Sequence, residues 1–223
     1  MIEELLKKLE ISNSKLLKMS FTHSSFLNEN FSNTDLESNE RLEFLGDSVI
    51  SYIVAEYIYE KYPNLTEGDM SKIRSLVVQR SSLANLAKEL DLQRHMILGK
   101  GEEKNNGRIK ESNLCDLFES FIGCCTLELG IQKTKFFLLE LISYKIDSIV
   151  KKQMFNDPKS KLQELLQERK IPLPEYITEL NNSGLFETNI IINNKSYGKA
   201  TGERKVDAEK SAAEIAINNF YIL

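Results

Sequence analysis

The chain has 223 residues, of which 41% are hydrophobic, and this composition excludes a disordered protein because it is sufficient for real hydrophobic cores. The net charge of −4 excludes a protein that attracts nucleic acid through bulk positive charge. No apolar run approaches the roughly 18 residues that a membrane span needs. The cysteines, Cys115, Cys124 and Cys125, fit a reducing cytoplasmic location better than a disulfide framework.

Residues 1–152 are predicted to form an all-α domain. Their apolar residues recur mainly at helical spacing. Glycine and proline stand mostly at breaks, such as Tyr62–Asn64 and Gly99–Gly101. The first domain is therefore expected to contain helices joined by short turns.

A second, smaller domain is predicted over residues 157–223. Asp157 can cap a helix whose first position is Pro158. Strand-like segments separated by asparagine-rich turns follow, and a helix closes the domain. The predicted order is α-β-β-β-α, a small α+β fold, with helices at 159–170 and 204–220 and strands at 176–180, 187–192 and 196–200.

A helix near the start of the first domain carries acidic side chains on one face. Glu40, Glu43 and Asp47 stand at positions i, i+3 and i+7. Asp47 is the only charged residue from Phe44 to Ala55, and the rest of this helix is predicted to be largely buried. Removing an ionised carboxylate from water costs several kcal/mol, so its burial requires an explanation.

Glu67 opens the next predicted helix. Thr66 and Asp69 form the pattern of a capping box, and the helix is predicted to run without a break to about Leu90. A carboxylate in the first turn is also explained by its interaction with the helix dipole. The residues alone therefore leave the role of Glu67 open.

Asp116 and Glu119 repeat the acidic pattern on a second apolar helix. They are the only charged residues in the range 112–127, and they share one face. If the two helices pack together, this pair converges with Glu43 and Asp47. Like charges at one point cannot all stay ionised without a cation, and carboxylate oxygens are ligands that suit Mg²⁺ or Mn²⁺. We therefore predict a magnesium site, for which Mn²⁺ can substitute.

An alternative is that each acid forms an ordinary salt bridge. For any single carboxylate this alternative is favoured. Two sets of acids on two apolar helices favour the metal site instead. The partners that the salt-bridge alternative would use are Arg41, Lys72, Arg74 and Arg80.

The segment Gly99–Asn113 is rich in glycine, lysine and asparagine. Such a segment either approaches the substrate or serves as a mobile connector, and the residues do not distinguish the two.

These segments resemble the bacterial ribonuclease III family. The block Asn39–Asp47 is similar to the signature of that family almost letter for letter, and further motifs follow in the same order. The resemblance covers nearly the whole chain. The further motifs are Thr22–Ser25, Glu67–Asp69, Leu98–Glu103, Glu111–Ser112 and Asp116–Glu119.

The resemblance implies a homodimeric endonuclease that hydrolyses double-stranded RNA with a metal-activated water. Its products would carry 5′-phosphate and 3′-hydroxyl ends with short 3′ overhangs, and its substrates would include ribosomal precursors and other structured transcripts. Glu40 and Glu67 would support catalysis near the substrate, and Phe44 would contact the second subunit. The metal ligands that the resemblance implies are Glu43, Asp47, Asp116 and Glu119.

The second domain resembles the double-stranded RNA-binding domain that accompanies this nuclease. The matching segments are Lys161–Leu165 in the first helix and Gly198–Gly202 before the last. The resemblance implies that the first helix and the first hairpin loop contact minor grooves, while the N-terminus of the last helix meets phosphates. The residues that would contact RNA are Gln163, Glu164, Lys199, Arg204, Lys205 and Lys210.

This chain departs from the family pattern in two places. Lys205 is followed by Val206, where two basic residues usually stand. The hairpin loop, in which we place Leu185 and Glu187, lacks the usual proline and histidine. Each lost phosphate contact removes a salt-dependent share of the affinity, so we expect weaker RNA binding than is usual in the family.

Two other functions compete with this one. A metal-free ribonuclease would need paired histidines, and only His23 and His95 exist. His23, within the Thr22–Ser24 motif, is better explained by a packing role. A binding protein that has lost catalysis should lack at least one of the four acids, and none is missing.

Overall fold

The computed structural model describes residues 4, 6–7, 9–11, 14–30, 36–155 and 157–221. The chain divides into two compact units, Met1–Lys152 and Gln153–Leu223. The first unit is helical and the second is α+β, which confirms the predicted fold class. Within the described part of the chain, no helix combines the length and the apolar character that crossing a membrane requires.

The first unit is built around one central helix, α7. This helix is apolar on most of its circumference, and its side chains Phe118 and Phe121 are fully buried. The helices α3 and α5 pack against it most extensively, followed by α1 and α8. The helices are α1 (Lys15–Phe21), α2 (Ser24–Asn30), α3 (Glu40–Lys61), α4 (Glu67–Val78), α5 (Arg80–Glu89), α6 (Lys100–Lys104), α7 (Glu111–Leu129) and α8 (Ile131–Lys151).

The helix predicted from Glu67 to Leu90 is two helices, α4 and α5. Its start was predicted correctly, because the Thr66 hydroxyl accepts a hydrogen bond from the Asp69 N–H at 3.1 Å. Gln79 has an extended backbone, with ψ of 148°, and interrupts the helix. The prediction of one helix was wrong because no glycine or proline marks the break.

The segment Gly99–Asn113 forms α6 and a 3₁₀ turn. The Glu29 carboxylate of α2 accepts hydrogen bonds from the backbone N–H groups of Lys100 at 2.8 Å and Gly101 at 3.0 Å. Arg108 donates to two backbone carbonyl groups before α6, at 2.7 and 2.9 Å. These contacts hold the segment in place, so the alternative of a mobile connector is not supported.

Asp147 on α8 binds the C-terminal end of α3. Its carboxylate accepts hydrogen bonds from the hydroxyl groups of Tyr57 at 3.1 Å and Tyr62 at 2.6 Å, and it lies 2.7 Å from Lys61 Nζ. Burial raises the pKa of Asp147, but the three donors outweigh it and leave the pKa below its ordinary value. The stabilisation by Asp147 is therefore present above a pH of about 4 and is lost as the pH falls through the folded pKa.

Replacing Asp147 with alanine is expected to lower the free energy of unfolding by about 1–2 kcal/mol at neutral pH, since three donors lose one partly exposed acceptor. Denaturant unfolding of this variant, of Tyr62→Phe and of the double variant measures the coupling between the two side chains. We expect the double variant to lose less stability than the two single losses combined. Strictly additive losses would contradict the hydrogen bond.

The second unit has the predicted order of elements. Its strands form one antiparallel sheet in the order β1-β2-β3, and two helices cover one face of it. The buried core between them includes Leu162, Ile190 and Phe220. The elements are α9 (Pro158–Glu168), β1 (Glu175–Leu180), β2 (Phe186–Ile192), β3 (Lys195–Gly202) and α10 (Lys205–Tyr221).

The first helix of this unit begins at Pro158, as predicted, but the Asp157 side chain does not cap it. The Asp157 carboxylate accepts a hydrogen bond from Ser160 Oγ at 3.1 Å and lies 3.5 Å from Lys210 Nζ. Asp157 therefore stands at the predicted N-cap position, but its carboxylate pairs with the side chains of Ser160 and Lys210 and not with a backbone N–H group.

Candidate active site

Two glycines allow α3 and α7 to touch backbone to backbone. A Cβ atom at Gly46 would lie 1.8 Å from the carbonyl oxygen of Glu119. A Cβ atom at Gly123 would lie 2.2 Å from the carbonyl oxygen of Leu42. Neither position has room for a side chain, so the two helices approach each other more closely here than side-chain packing allows.

Acidic side chains from both helices lie beside this contact and influence one another's pKa values. Glu43 and Asp47 come from α3, and Asp116 and Glu119 come from α7. Ligand atoms of Cys115, Asp116 and Glu119, all on α7, lie within 4.8 Å of one another, and this group does not include Glu43 or Asp47 of α3. Three of the four carboxylates are half-buried, whereas Asp47 is exposed.

The half-buried carboxyl groups have raised pKa values. Burial, and next to it the charge of Asp47, raises the pKa of Glu119 to about 7. Burial and then the charge of Asp116 raise the pKa of Glu43. Burial also raises the pKa of Asp116, although the positive charge of Arg80 opposes it. The carboxylates on the two helices therefore act on one another as a single cluster.

The salt-bridge alternative finds support at Asp116, where the charge of Arg80 opposes the effect of burial on the pKa, but not at Glu43 or Glu119. Arg41, one of its candidate partners, lies 3.8 Å from Glu37. The causes that set the pKa values of Glu43 and Glu119 within the described chain are burial, acidic neighbours and a thiol, with no lysine or arginine. Such an under-neutralised set of oxygen ligands fits a hard divalent cation such as Mg²⁺.

Cys115 lies beside this cluster, a position that was not predicted from the sequence. Its side chain is buried, and its Sγ lies 3.6 Å from Glu119 Oε1, to which the thiol donates a hydrogen bond. Burial raises the pKa of Cys115, so the thiol keeps its proton. The i, i+4 spacing of the two residues is the sequence signal that could have indicated this contact.

The two predicted supporting acids lie in different surroundings. Glu40 is exposed in the first turn of α3, accepts a hydrogen bond from Ser38 at 3.0 Å and raises the pKa of Glu43. Glu67, in the first turn of α4, lines a separate cavity of about 430 Å³ together with Tyr52 of α3. The structure therefore links Glu40 to the acidic cluster and gives Glu67 a different setting.

The prediction that α3 is largely buried around Asp47 holds for one face only, on which Val49, Ile50, Ile53 and Val54 are buried. Phe44 is 79% exposed, Tyr52 54% and Tyr59 71%. Phe44 also borders a groove of about 770 Å³ that Leu127 of α7 helps to line. The hydrophobicity of a residue in the sequence does not show whether it lies in the interior or on an exposed apolar surface of this kind.

The residues predicted to contact RNA lie at three places in the second unit. They are on α9, on β3 and around the N-terminus of α10. Glu187, predicted to lie in the hairpin loop, lies in β2 instead, 2.9 Å from Lys199 Nζ, because the strand begins at Phe186. The exposed candidates for RNA contact are Gln163, Glu164, Lys199, Arg204, Lys205 and Lys210.

A helical unit with an acidic cluster, joined to an α-β-β-β-α unit, defines a nuclease with its own RNA-binding domain. Residues 13–146 match the ribonuclease-III-like family model, and residues 158–220 match the double-stranded RNA binding motif. The chain is 41% identical over 213 residues to ribonuclease 3 of Listeria monocytogenes, covering 94% of this chain and 92% of that protein. It is 37% identical to ribonuclease 3 of Streptococcus pneumoniae, covering 94% and 91%.

A solved structure leads to the same family. It is the nuclease domain of ribonuclease III from Campylobacter jejuni, described as having structural flexibility in the region involved in dimer formation. It superposes with a TM-score of 0.57 at 37% identity, covering 65% of this chain and 97% of that one. The chain therefore belongs to the ribonuclease III family and is a double-strand-specific endoribonuclease, which confirms the resemblance.

Proposed function

We propose that the carboxylates beside the α3–α7 contact hold Mg²⁺, or Mn²⁺ in its place, and that duplex RNA is hydrolysed there. One observation carries this proposal. Half-buried acids from two helices raise one another's pKa values, so the cluster has an excess of negative charge that a divalent cation balances. The proposed ligands are Glu43, Asp47, Asp116 and Glu119.

When bound, the cation lowers the pKa of a water molecule and stabilises negative charge on the phosphate. The residues of this chain supply the conditions for that chemistry. The pKa of Glu119 is raised to about 7, so a proton competes with the cation for this carboxylate, which couples metal affinity to pH. Asp47 faces solvent, from which the RNA phosphate arrives. Cys115 holds one oxygen of Glu119 and so restricts the orientation of that carboxylate.

The test is incubation of the chain with long duplex RNA, with Mg²⁺ or with EDTA. We expect cleavage with Mg²⁺ only, 5′-phosphate and 3′-hydroxyl ends with short 3′ overhangs, and no cleavage of either strand alone. Activity that survives EDTA would favour the metal-free ribonuclease. Binding without cleavage in Mg²⁺ would favour the binding protein.

We further propose that the chain acts as a homodimer in which Phe44 contacts the second subunit. The support is a large aromatic side chain that is 79% exposed beside a groove whose lining combines apolar residues such as Leu45 and Leu127 with charged ones such as Lys15 and Arg41. Exposed apolar patches of this kind mark protein–protein interfaces. Further support comes from the nuclease domain of ribonuclease III from Campylobacter jejuni, whose structure is described as having a region involved in dimer formation.

Replacing Phe44 with alanine is expected to weaken the dimer at least about 30-fold, because a buried aromatic anchor contributes about 2 kcal/mol or more. Sedimentation over a range of protein concentrations measures the change. The matched control is Tyr144→Ala on α8, since Tyr144 is 84% exposed and outside the groove. A parent chain that is monomeric at micromolar concentration, or an equal effect of both variants, would refute the proposed interface.

The two units divide the work in this proposal. Residues 1–152 would cut the duplex, and residues 157–223 would hold it. Glu40 and Glu67 would assist near the substrate, and the natural substrates would include ribosomal precursors. The three free, buried cysteines fit a reducing cytoplasm as the place of action.

A further inference from the structure

The basic side chains around the N-terminus of α10 form the surface on which this unit can bind phosphate. A helix N-terminus presents unpaired backbone N–H groups and the positive end of the helix dipole. Arg204, Lys205 and Lys210 are exposed beside it. Domains of this kind contact the phosphates that border the major groove of duplex RNA. The availability of these cations therefore matters for affinity.

Asp207, in the first turn of α10, forms an ion pair with the Arg204 guanidinium group. Its two carboxylate oxygens accept hydrogen bonds from Arg204 Nε at 2.7 Å and Nη2 at 2.9 Å. This bidentate geometry is the one that arginine also offers to a phosphate group. The hydrogen bond from Arg204 lowers the pKa of Asp207, so the carboxylate is charged at neutral pH.

The other acid of this helix turn is held differently. Glu209 is buried and lies 2.6 Å from Lys159 Nζ, but 3.9 Å from Lys205 Nζ. Lys159 therefore neutralises Glu209 while Lys205 remains only loosely paired. Asp207 is the acid that holds an exposed cation of the α10 N-terminus with two short hydrogen bonds.

We infer that Asp207 lowers the affinity of this chain for duplex RNA by competing with phosphate for Arg204. Arg204 has to leave the carboxylate before it can bind a phosphate, and the released carboxylate then repels the same phosphate. The inference rests on the RNA-binding function of this unit. It adds a second reason for the weaker binding that the sequence predicts: besides the missing basic residue at Val206, the acidic Asp207 pairs with Arg204.

The test compares the full chain with its Asp207→Asn variant for binding of a labelled RNA duplex in EDTA, measured by fluorescence anisotropy. We expect the variant to bind about three- to fivefold more tightly at low salt, as for the loss of one competing ion pair. Arg204 then makes an additional phosphate contact. The decrease in affinity with increasing salt should therefore become steeper.

The matched control is Glu179→Gln, which removes the same charge from the same unit. Thr178 binds the buried Thr188, so the neighbouring Glu179 side chain lies on the opposite face of the sheet, away from α10. We expect this variant to bind as the parent does. Asp207→Ser also removes the charge, and serine suits the beginning of a helix. This second variant tests the inference if Asp207→Asn does not fold.

The Arg204→Gln background separates competition from simple repulsion. There, Asp207→Asn should gain much less affinity, because no guanidinium is left to release. The inference is overturned if folded Asp207→Asn and Asp207→Ser bind no more tightly than the parent, if Glu179→Gln gains equally, or if the full gain persists without Arg204. A parent chain that did not bind duplex RNA would overturn the function itself and the inference with it.

Discussion

Replacing Glu119 with glutamine is expected to reduce Mg²⁺-dependent cleavage of duplex RNA at least about 100-fold, because an amide cannot supply the charge that holds the cation. Cleavage rates at saturating Mg²⁺ measure this loss. The control is Glu128→Gln, the same change on the exposed part of the same helix, which should cleave as the parent does. Equal activity of parent and Glu119→Gln would remove this residue from the site.

The same variant is expected to be more stable than the parent when divalent ions are absent. The pKa of Glu119 is raised from 4.5 to about 7, so between these values the folded chain binds a proton that the unfolded chain has lost. The stability of the parent therefore falls as the pH rises through this window. Glutamine does not titrate. At about pH 8 the free energy of unfolding of the variant should therefore exceed that of the parent by roughly 1–2 kcal/mol, after allowance for solvent screening.

Thermal unfolding in EDTA at about pH 5 and pH 8 measures this gain, and addition of Mg²⁺ at the higher pH should restore stability to the parent. A parent that becomes more stable as the pH rises through this window would contradict the raised pKa of Glu119.

Alanine at Gly46 is expected to destabilise the chain by about 3 kcal/mol or more, since its Cβ would lie 1.8 Å from a backbone oxygen of α7 that cannot turn aside. That oxygen belongs to Glu119, so cleavage should fall even at temperatures at which the variant is folded. Denaturant unfolding and cleavage rates check the two effects.

The control for this substitution is Gly68→Ala in the first turn of α4. The nearest atom to its Cβ would be Thr66 Oγ1 at 3.9 Å, which is ordinary contact. Alanine favours a helix over glycine, so this variant should match the parent or gain up to about 1 kcal/mol. If Gly46→Ala were equally stable, the two helices would not touch as described.

The acidic cluster could be anticipated from the sequence because its signal is local. Asp47 and Asp116 are isolated charges in apolar helices, and helical spacing alone puts each with a second acid on one face. The order of elements in the second unit was also readable, because alternation of apolar residues and turn residues such as Gly184 are local features.

Other features depend on contacts between residues distant in sequence, and the sequence did not predict them. The break at Gln79 lacks the usual sequence signals, and the helix that follows it, α5, packs on α7, which is distant in sequence. Asp157 has the right type for a cap but meets Lys210 from α10. The hydrophobicity of Phe44 did not indicate its exposure, because an exposed apolar residue and an interior one are equally hydrophobic; only the family resemblance pointed to a surface role.

The contact between α3 and α7 has a consequence for which substitutions this chain can accept. Because main-chain atoms meet at Gly46 and Gly123, the separation of the two helices does not depend on which leucine, isoleucine or methionine fills the interior around them. Mutational drift in that interior can therefore proceed without changing the spacing of the acids. Gly46 and Gly123 themselves cannot be substituted without separating the two helices.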